Sequence, residues 1–227
     1  MGTRSSTLIQ LDGEVKVCQY GQGDGYPSGL GMPILELIRS ADMEKLKSRL
    51  RTLRPLRGEE GRDDDPEWKA YFHESEKYMA RFVMLSNSLK PDSDNKEWHA
   101  FLSEPKAHQN LPGFRWSRDC RGDNILEMLM NDSLTFTTVQ TNVVFPGDSL
   151  YCEWAYVIDF DKNTFEVYQG FNKEPLPPDA RFKFLEKEDS EYKPVKIVAE
   201  WPLDNLPTDE EFHNKLNKYE SDDEDEE

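Results

Sequence analysis

The chain has 227 residues, enough to bury a full hydrophobic core, and 36% of them are hydrophobic. Its formal net charge is −17, and residues 220–227 carry seven of these negative charges, which leaves −10 for residues 1–219. A body this acidic repels phosphate backbones and anionic membranes, so we expect neither nucleic acid nor a membrane as a partner.

The cysteine content and the hydropathy of the sequence indicate the cellular compartment of the protein. The chain has three cysteines, an odd number with no Cys-x-x-Cys spacing, which favours reduced thiols over a disulfide framework. No apolar run approaches the roughly 18 residues of a membrane span, and no signal-peptide pattern is present. The sequence therefore predicts a soluble cytoplasmic or nuclear protein.

The first elements are a hairpin and two helices. Residues 6–11 and 14–20 are short β-rich runs on either side of Asp12-Gly13, a dipeptide that favours the positive φ angles of a tight hairpin turn. Pro33 suits the first turn of a helix, where its missing N–H is not needed. A second helix is predicted at about 43–53, because leucines recur along one side.

A long helix dominates the middle of the sequence. Residues 54–65 are polar and predict a loop, and apolar side chains then recur at spacings of three and four over residues 66–87. We expect this stripe to pack in the core rather than to line a ligand groove; it consists of Trp68, Tyr71, Phe72, Tyr78, Met79, Phe82 and Leu85. Another helix is predicted near residues 122–131.

The C-terminal half is mainly β. Strands are predicted within residues 134–145, 150–160, 164–169 and 195–201, and a final helix at 208–219 has Thr208 as its N-cap. Strands, helices, strands and a helix in this order predict an α+β fold, with an antiparallel sheet and helices packed on one face. We expect a single domain over residues 1–219 and a disordered acidic tail over residues 220–227.

The loop over residues 24–31, Asp-Gly-Tyr-Pro-Ser-Gly-Leu-Gly, is the most specific segment. Three glycines, a proline and an aspartate within eight residues require conformations that most residues avoid. Such loops often present groups to a ligand. The candidate ligand-binding residues are the polar side chains of this loop and of the neighbouring strands: Thr3, Arg4, Gln19, Asp24, Tyr26 and Ser28. A buried Arg4–Asp24 ion pair is the predicted lock between loop and sheet.

These segments resemble a known family. Met1-Gly2-Thr3-Arg4-Ser5 and the 24–31 loop are similar to a widespread uncharacterised family whose members begin with Met-Gly-Thr-Arg and carry an Asp-Gly-Tyr-Pro-Ser-Gly loop. The segment 153–159 resembles its longer fungal members. Relatives often have Trp or Phe just before this loop, where the present chain has Gly23. The resemblance implies no catalytic residue.

Two classes of function stay open at this point. The first is a non-catalytic protein that binds a small ligand or a protein partner through the 24–31 loop. The alternative is a small hydrolase with an N-terminal nucleophile, which would need Thr3 exposed by a second cleavage after removal of Met1. No histidine motif accompanies Cys18, no zinc spacing occurs, and no cofactor is predicted.

Two anionic features complete the expectations. The junction from Gly29 to Pro33 puts free N–H groups at a helix start, which is a possible anion site, but a plain helix entry is the favoured interpretation. Ser221 precedes six acidic residues, a pattern that resembles an acidophilic kinase site, so Ser221 is a candidate phosphorylation site.

Overall fold

The computed structural model describes residues 2–57, 66–88, 96, 99–100, 124–130 and 138–220. Within these residues seven strands form one sheet with the order β3-β4-β2-β1-β5-β6-β7. The strands are β1 Ser5–Leu11, β2 Glu14–Gly21, β3 Arg54–Arg57, β4 Thr138–Thr141, β5 Trp154–Asp159, β6 Thr164–Gln169 and β7 Lys196–Pro202. Residues 221–227 of the predicted tail, including Ser221, lie outside the described residues.

The α-helices that accompany the sheet include α1 Met32–Ser40, α2 Met43–Thr52, α3 Pro66–Ser88, α4 Asn124–Met130 and α5 Asp209–Glu220. The α5 helix begins with a capping box, because Glu211 N donates to Thr208 Oγ1 and Thr208 N donates to Glu211 Oε2. The tail was predicted to begin at Glu220, but this residue is the last of α5.

Two tight hairpins confirm the turn predictions. Asp12 and Gly13 have φ angles of 55° and 75° between β1 and β2. Asn163 has a φ angle of 60° in the turn between β5 and β6, which pair antiparallel. The turn residues therefore adopt the left-handed conformations that their types favour.

The α+β class is confirmed, and antiparallel pairing predominates in the sheet. Parallel pairs also occur, since β1 runs parallel to β5, and β4 runs parallel to both β2 and β3. The sequence predicted a loop over residues 54–65, but Arg54–Arg57 forms β3. A four-residue strand with proline and two arginines has too weak a β pattern to predict.

The two faces of the sheet are covered differently. Helices α1, α2, α4 and α5 pack on one face, where their leucines and isoleucines meet Ile9, Val17 and Tyr156. On the opposite face, irregular segments between β4 and β5 and between β6 and β7 cover Leu8, Val157 and other side chains. We call the face covered by the helices the helix side and the opposite face the loop side.

Of the predicted stripe of α3, the structure describes the side chains of Met79 and Phe82, and Met79 differs from expectation. Helix α3 spans Pro66–Ser88 as predicted, but Met79 is 51% exposed, so it does not pack in the core. Val83 and Met84 on the same helix are also exposed.

Candidate functional site

The 24–31 loop is a helix entry whose N–H groups are used internally. Residues Pro27–Gly31 form a short π-helical turn that continues into α1. The carbonyl oxygen of Tyr26 accepts from the N–H groups of Gly29, Leu30 and Gly31 at 3.0, 2.9 and 3.4 Å. The predicted free N–H groups at this junction are therefore absent at these three residues. Ser28 N donates to Glu220 Oε1 at 2.6 Å, so a carboxylate of the chain itself lies at the helix start.

Close packing explains the glycines of the loop. A methyl group on Gly25 would lie 2.8 Å from Ser5 Cβ and 2.9 Å from the carbonyl oxygen of Thr3. On Gly31 it would lie 2.9 Å from the ring of Tyr156. Gly25 N donates to the Thr3 carbonyl oxygen, and the Tyr156 hydroxyl donates to the Gly25 carbonyl oxygen at 2.8 Å. The loop is therefore fastened to the start of β1 and to β5.

Arg4 pairs with Glu153 rather than with Asp24. Its backbone N and its Nε both donate to Glu153 Oε1, at 3.0 and 3.2 Å. Asp24 is exposed with a φ angle of 49°, and its carboxylate has no ion pair with any described residue. The predicted Arg4–Asp24 lock is wrong because the parallel strand β5 brings Glu153 beside Arg4, and this pairing was not expected from the sequence.

The six predicted site residues lie in two environments. Thr3, Arg4, Asp24 and Ser28 are exposed or half-buried around the start of β1, and Tyr26 is half-buried against the helix-side core. Gln19 pairs with Thr7 inside the sheet and is 7% exposed. That these six residues share one ligand pocket stays a prediction.

Three exposed apolar side chains lie on segments next to Arg4, and the sequence analysis missed them. The guanidinium of Arg4 lies 4.7 Å from the ring centre of Tyr151, which is 49% exposed. Leu150 beside it is 36% exposed, and Phe171 is 44% exposed. We call Arg4, Leu150, Tyr151 and Phe171 the aromatic patch.

Hydrogen bonds hold Phe171 at the patch in an uncommon backbone conformation. Its φ angle is 50°, a left-handed value that bulky residues rarely adopt. Phe171 N donates to the Ser149 carbonyl oxygen and Gly170 N donates to the Glu153 carbonyl oxygen, both at 2.7 Å. Asn172 N donates to Ser149 Oγ. These bonds fix residues 170–172 against the segment that carries Tyr151.

A buried charge network occupies the loop side, and the sequence analysis missed it as well. Asp159 and Glu166 are 0% and 1% exposed. Arg181 Nη2 donates to carboxylate oxygens of both, and its Nε donates to Glu166 Oε2 at 2.8 Å. Tyr168 Oη and Thr164 Oγ1 also donate to Glu166. The network ties the segment before β7 to the sheet.

The network keeps both carboxyl groups ionised. Burial is the largest single influence and raises both pKa values, but the hydrogen bonds and positive charge of Arg181, together with the other donors, outweigh it. The pKa of Asp159 is lowered further by the backbone N–H groups of Lys162 and Asp161, and that of Glu166 by the hydroxyl of Tyr168. The pKa of Arg181 is raised, so the guanidinium stays charged. Each charged group in the network is hydrogen-bonded to another member, which is typical of a structural cluster.

The described cysteines are poor nucleophiles. Cys18 and Cys152 are buried, and burial raises the pKa of Cys18 to about 11 and that of Cys152 well above 9.0. In a Cys120→Ser variant we expect thiol labelling about a hundredfold slower than that of a free cysteine, because the thiolate is scarce and shielded. Absorbance of released thionitrobenzoate measures this rate, with denatured protein as the control. Rapid labelling of the native variant would contradict the burial of both thiols.

Comparison with protein-family models, curated proteins and solved structures finds no match for this chain. The family resemblance therefore stays a prediction. Among the described residues, no group of His, Cys, Asp and Glu side chains is arranged to hold a metal ion. None of the described helices has the length and apolar character needed to cross a membrane.

Proposed function

We propose that this chain is a non-catalytic protein that binds a polypeptide partner through the aromatic patch. The observation that carries the proposal is Phe171. A strained backbone costs about 1–3 kcal/mol, and such strain persists where surrounding bonds impose it, frequently at functional sites. Here the strained residue is an aromatic that stays 44% exposed, so its ring is only partly used in packing within the fold.

The composition of the patch supports the same proposal. Tyrosine, other aromatics and arginine are enriched at protein interfaces, where they supply most of the binding energy. The patch combines Tyr151, Phe171 and Arg4, and the stacking of Arg4 on Tyr151 already orders two of these side chains. Prior ordering lowers the entropy lost on binding.

In this proposal the 24–31 loop supports the patch instead of contacting the partner with its glycines. Gly25 N donates a hydrogen bond to the Thr3 carbonyl oxygen on one side of Arg4, and Arg4 itself donates to the carboxylate of Glu153. The tight packing of the loop therefore fixes the position of Arg4. The buried network around Arg181 similarly fixes the loop side, which supports a structural role for the ionised groups there.

A peptide-display selection against the full chain tests the proposal. We expect clones that bind the native chain and lose at least about tenfold in affinity to a Tyr151→Ala/Phe171→Ala variant. Phe184→Ala is the matched control, because Phe184 is 74% exposed on another segment. If no clone distinguishes the double variant from the native chain, the patch is not a binding surface.

A second variant separates binding from folding. Phe171→Gly relieves the left-handed strain but also removes a partly buried ring, so its free energy of unfolding should stay within about 1 kcal/mol of that of the native chain. The same variant should fail to bind the selected clones. Retained binding by Phe171→Gly would contradict a role for the ring.

A further inference from the structure

Exposed carboxylates without an ion pair to a described residue lie on segments beside the aromatic patch, whereas the nearby lysines are already engaged: Lys173 pairs with Glu191, and Lys193 Nζ donates to the carbonyl oxygens of Lys187 and Glu188. Asp24 and Asp148 are both exposed, and neither carboxylate has an ion pair with a described residue. Asp24 precedes Gly25, which bonds to Thr3, and the Asp148 carbonyl oxygen accepts from the N–H groups of Tyr151 and Cys152. Both aspartates therefore lie on backbone segments that are bonded to those carrying Arg4 and Tyr151. The one arginine of the patch is already neutralised by Glu153.

The end of α5 adds negative charge in the same region. Glu220 reaches Ser28, and the sequence continues from Glu220 with Ser221 and six acidic residues. A ligand that approaches this end of the sheet therefore meets the negative charges of Asp24, Asp148 and Glu220.

We infer that the partner is a basic polypeptide segment in which arginine or lysine alternates with apolar residues; this inference rests on the proposed function. The rings of Phe171 and Tyr151 can receive the apolar stems and charged heads of such residues. Asp24 and Asp148 supply carboxylates to guanidinium or ammonium groups, and their free state in this structure leaves both available. An acidic partner would be repelled by the same groups.

Fluorescence anisotropy at physiological salt tests the inference with two labelled probes, a peptide of Arg-Phe-Gly repeats and a matched peptide of Glu-Phe-Gly repeats. We expect the full chain to bind only the arginine peptide. Phe171→Ala and the pair Asp24→Asn/Asp148→Asn should each weaken binding about tenfold. Phe184→Ala should have no effect. Melting temperatures of all variants verify that they are folded.

Three outcomes would overturn the inference. The first is equal binding of both probes, and the second is no binding of the arginine peptide. The third is binding that survives Phe171→Ala but vanishes when residues 221–227 are deleted, which would be general attraction to an acidic segment. None of these results affects the display selection, whose library includes peptides of every charge. Clones of neutral or acidic composition that need Phe171 would uphold the proposed function while rejecting a basic partner.

Discussion

Replacing Arg181 with methionine is expected to destabilise the protein by about 3–5 kcal/mol. The change leaves the carboxylates of Asp159 and Glu166 buried without their cation, and an uncompensated buried charge is costly. In a chain of this size each kcal/mol lowers the melting temperature by about 2–4 °C, so a decrease of roughly 6–20 °C should be seen by calorimetry.

A nearby lysine provides the control. Lys183 is two residues away, on the same segment, and pairs with Glu186 at 2.8 Å, but its side chain is 36% exposed. Lys183→Met should cost less than about 1 kcal/mol, because exposed ion pairs contribute little. If both variants melt at the same temperature, the Arg181 network does not hold the segment before β7 to the sheet.

The pH dependence of the Arg181→Met effect has a defined sign. In the fold the pKa values of Asp159 and Glu166 lie below their ordinary values of 3.8 and 4.5. The stabilisation by ionised carboxylates is therefore complete above these ordinary values and is lost as pH falls through the folded values. In the variant, burial without Arg181 favours protonation instead. The difference in unfolding free energy should be largest at neutral pH and shrink as pH falls below about 5, as urea titrations would measure.

The sequence could predict the hairpins and the final helix because their signals are local. Asp12-Gly13 determines a turn whatever the rest of the chain does, and Thr208 with Glu211 begins α5 through bonds three residues apart. The parallel pairing of β1 with β5 depends instead on residues about 150 positions apart. No periodicity in either strand specifies a partner so distant. Because this pairing could not be predicted, Asp24 was wrongly predicted as the ion-pair partner of Arg4 in place of Glu153.

The buried network was hidden by the alternation of the strands. In β6, Glu166 and Tyr168 alternate with Phe165 and Val167, which predicts a polar face in contact with water. That face is instead covered by the irregular segment that contains Leu176, Phe182 and Arg181. The sequence signal that could have indicated the network was Arg181 between the apolar residues Ala180 and Phe182, together with the acidic residues Asp159 and Glu166 in predicted strands. The aromatic patch had no such signal, because exposure of Phe171 depends on the turn at its own residue.

Gly29→Ala is the second change with a large expected effect. A methyl group there would overlap the carbonyl oxygen of Asp24 and lie 2.9 Å from the ring of Tyr26. The first obstacle is backbone, which cannot turn aside as a flexible side chain would. Overpacking of this kind typically costs about 1–3 kcal/mol, and we expect the upper end because the loop is bonded to Thr3, Tyr156 and Glu220 at once.

Gly23→Ala is the matched control for this loop. A methyl group on Gly23 would meet no atom within 4 Å, and Gly23 has no left-handed φ angle. The unfolding free energy of the Gly23→Ala variant should therefore stay within about 0.5 kcal/mol of the native value or rise slightly, since alanine reduces the conformational freedom of the unfolded chain. Urea titration of the two variants side by side measures the contrast. If the loop were rich in glycine in order to contact a ligand, its stability would tolerate both changes equally. Equal stabilities of the two variants would therefore reject packing as the reason for these glycines. They would favour direct contact between the 24–31 loop and a ligand.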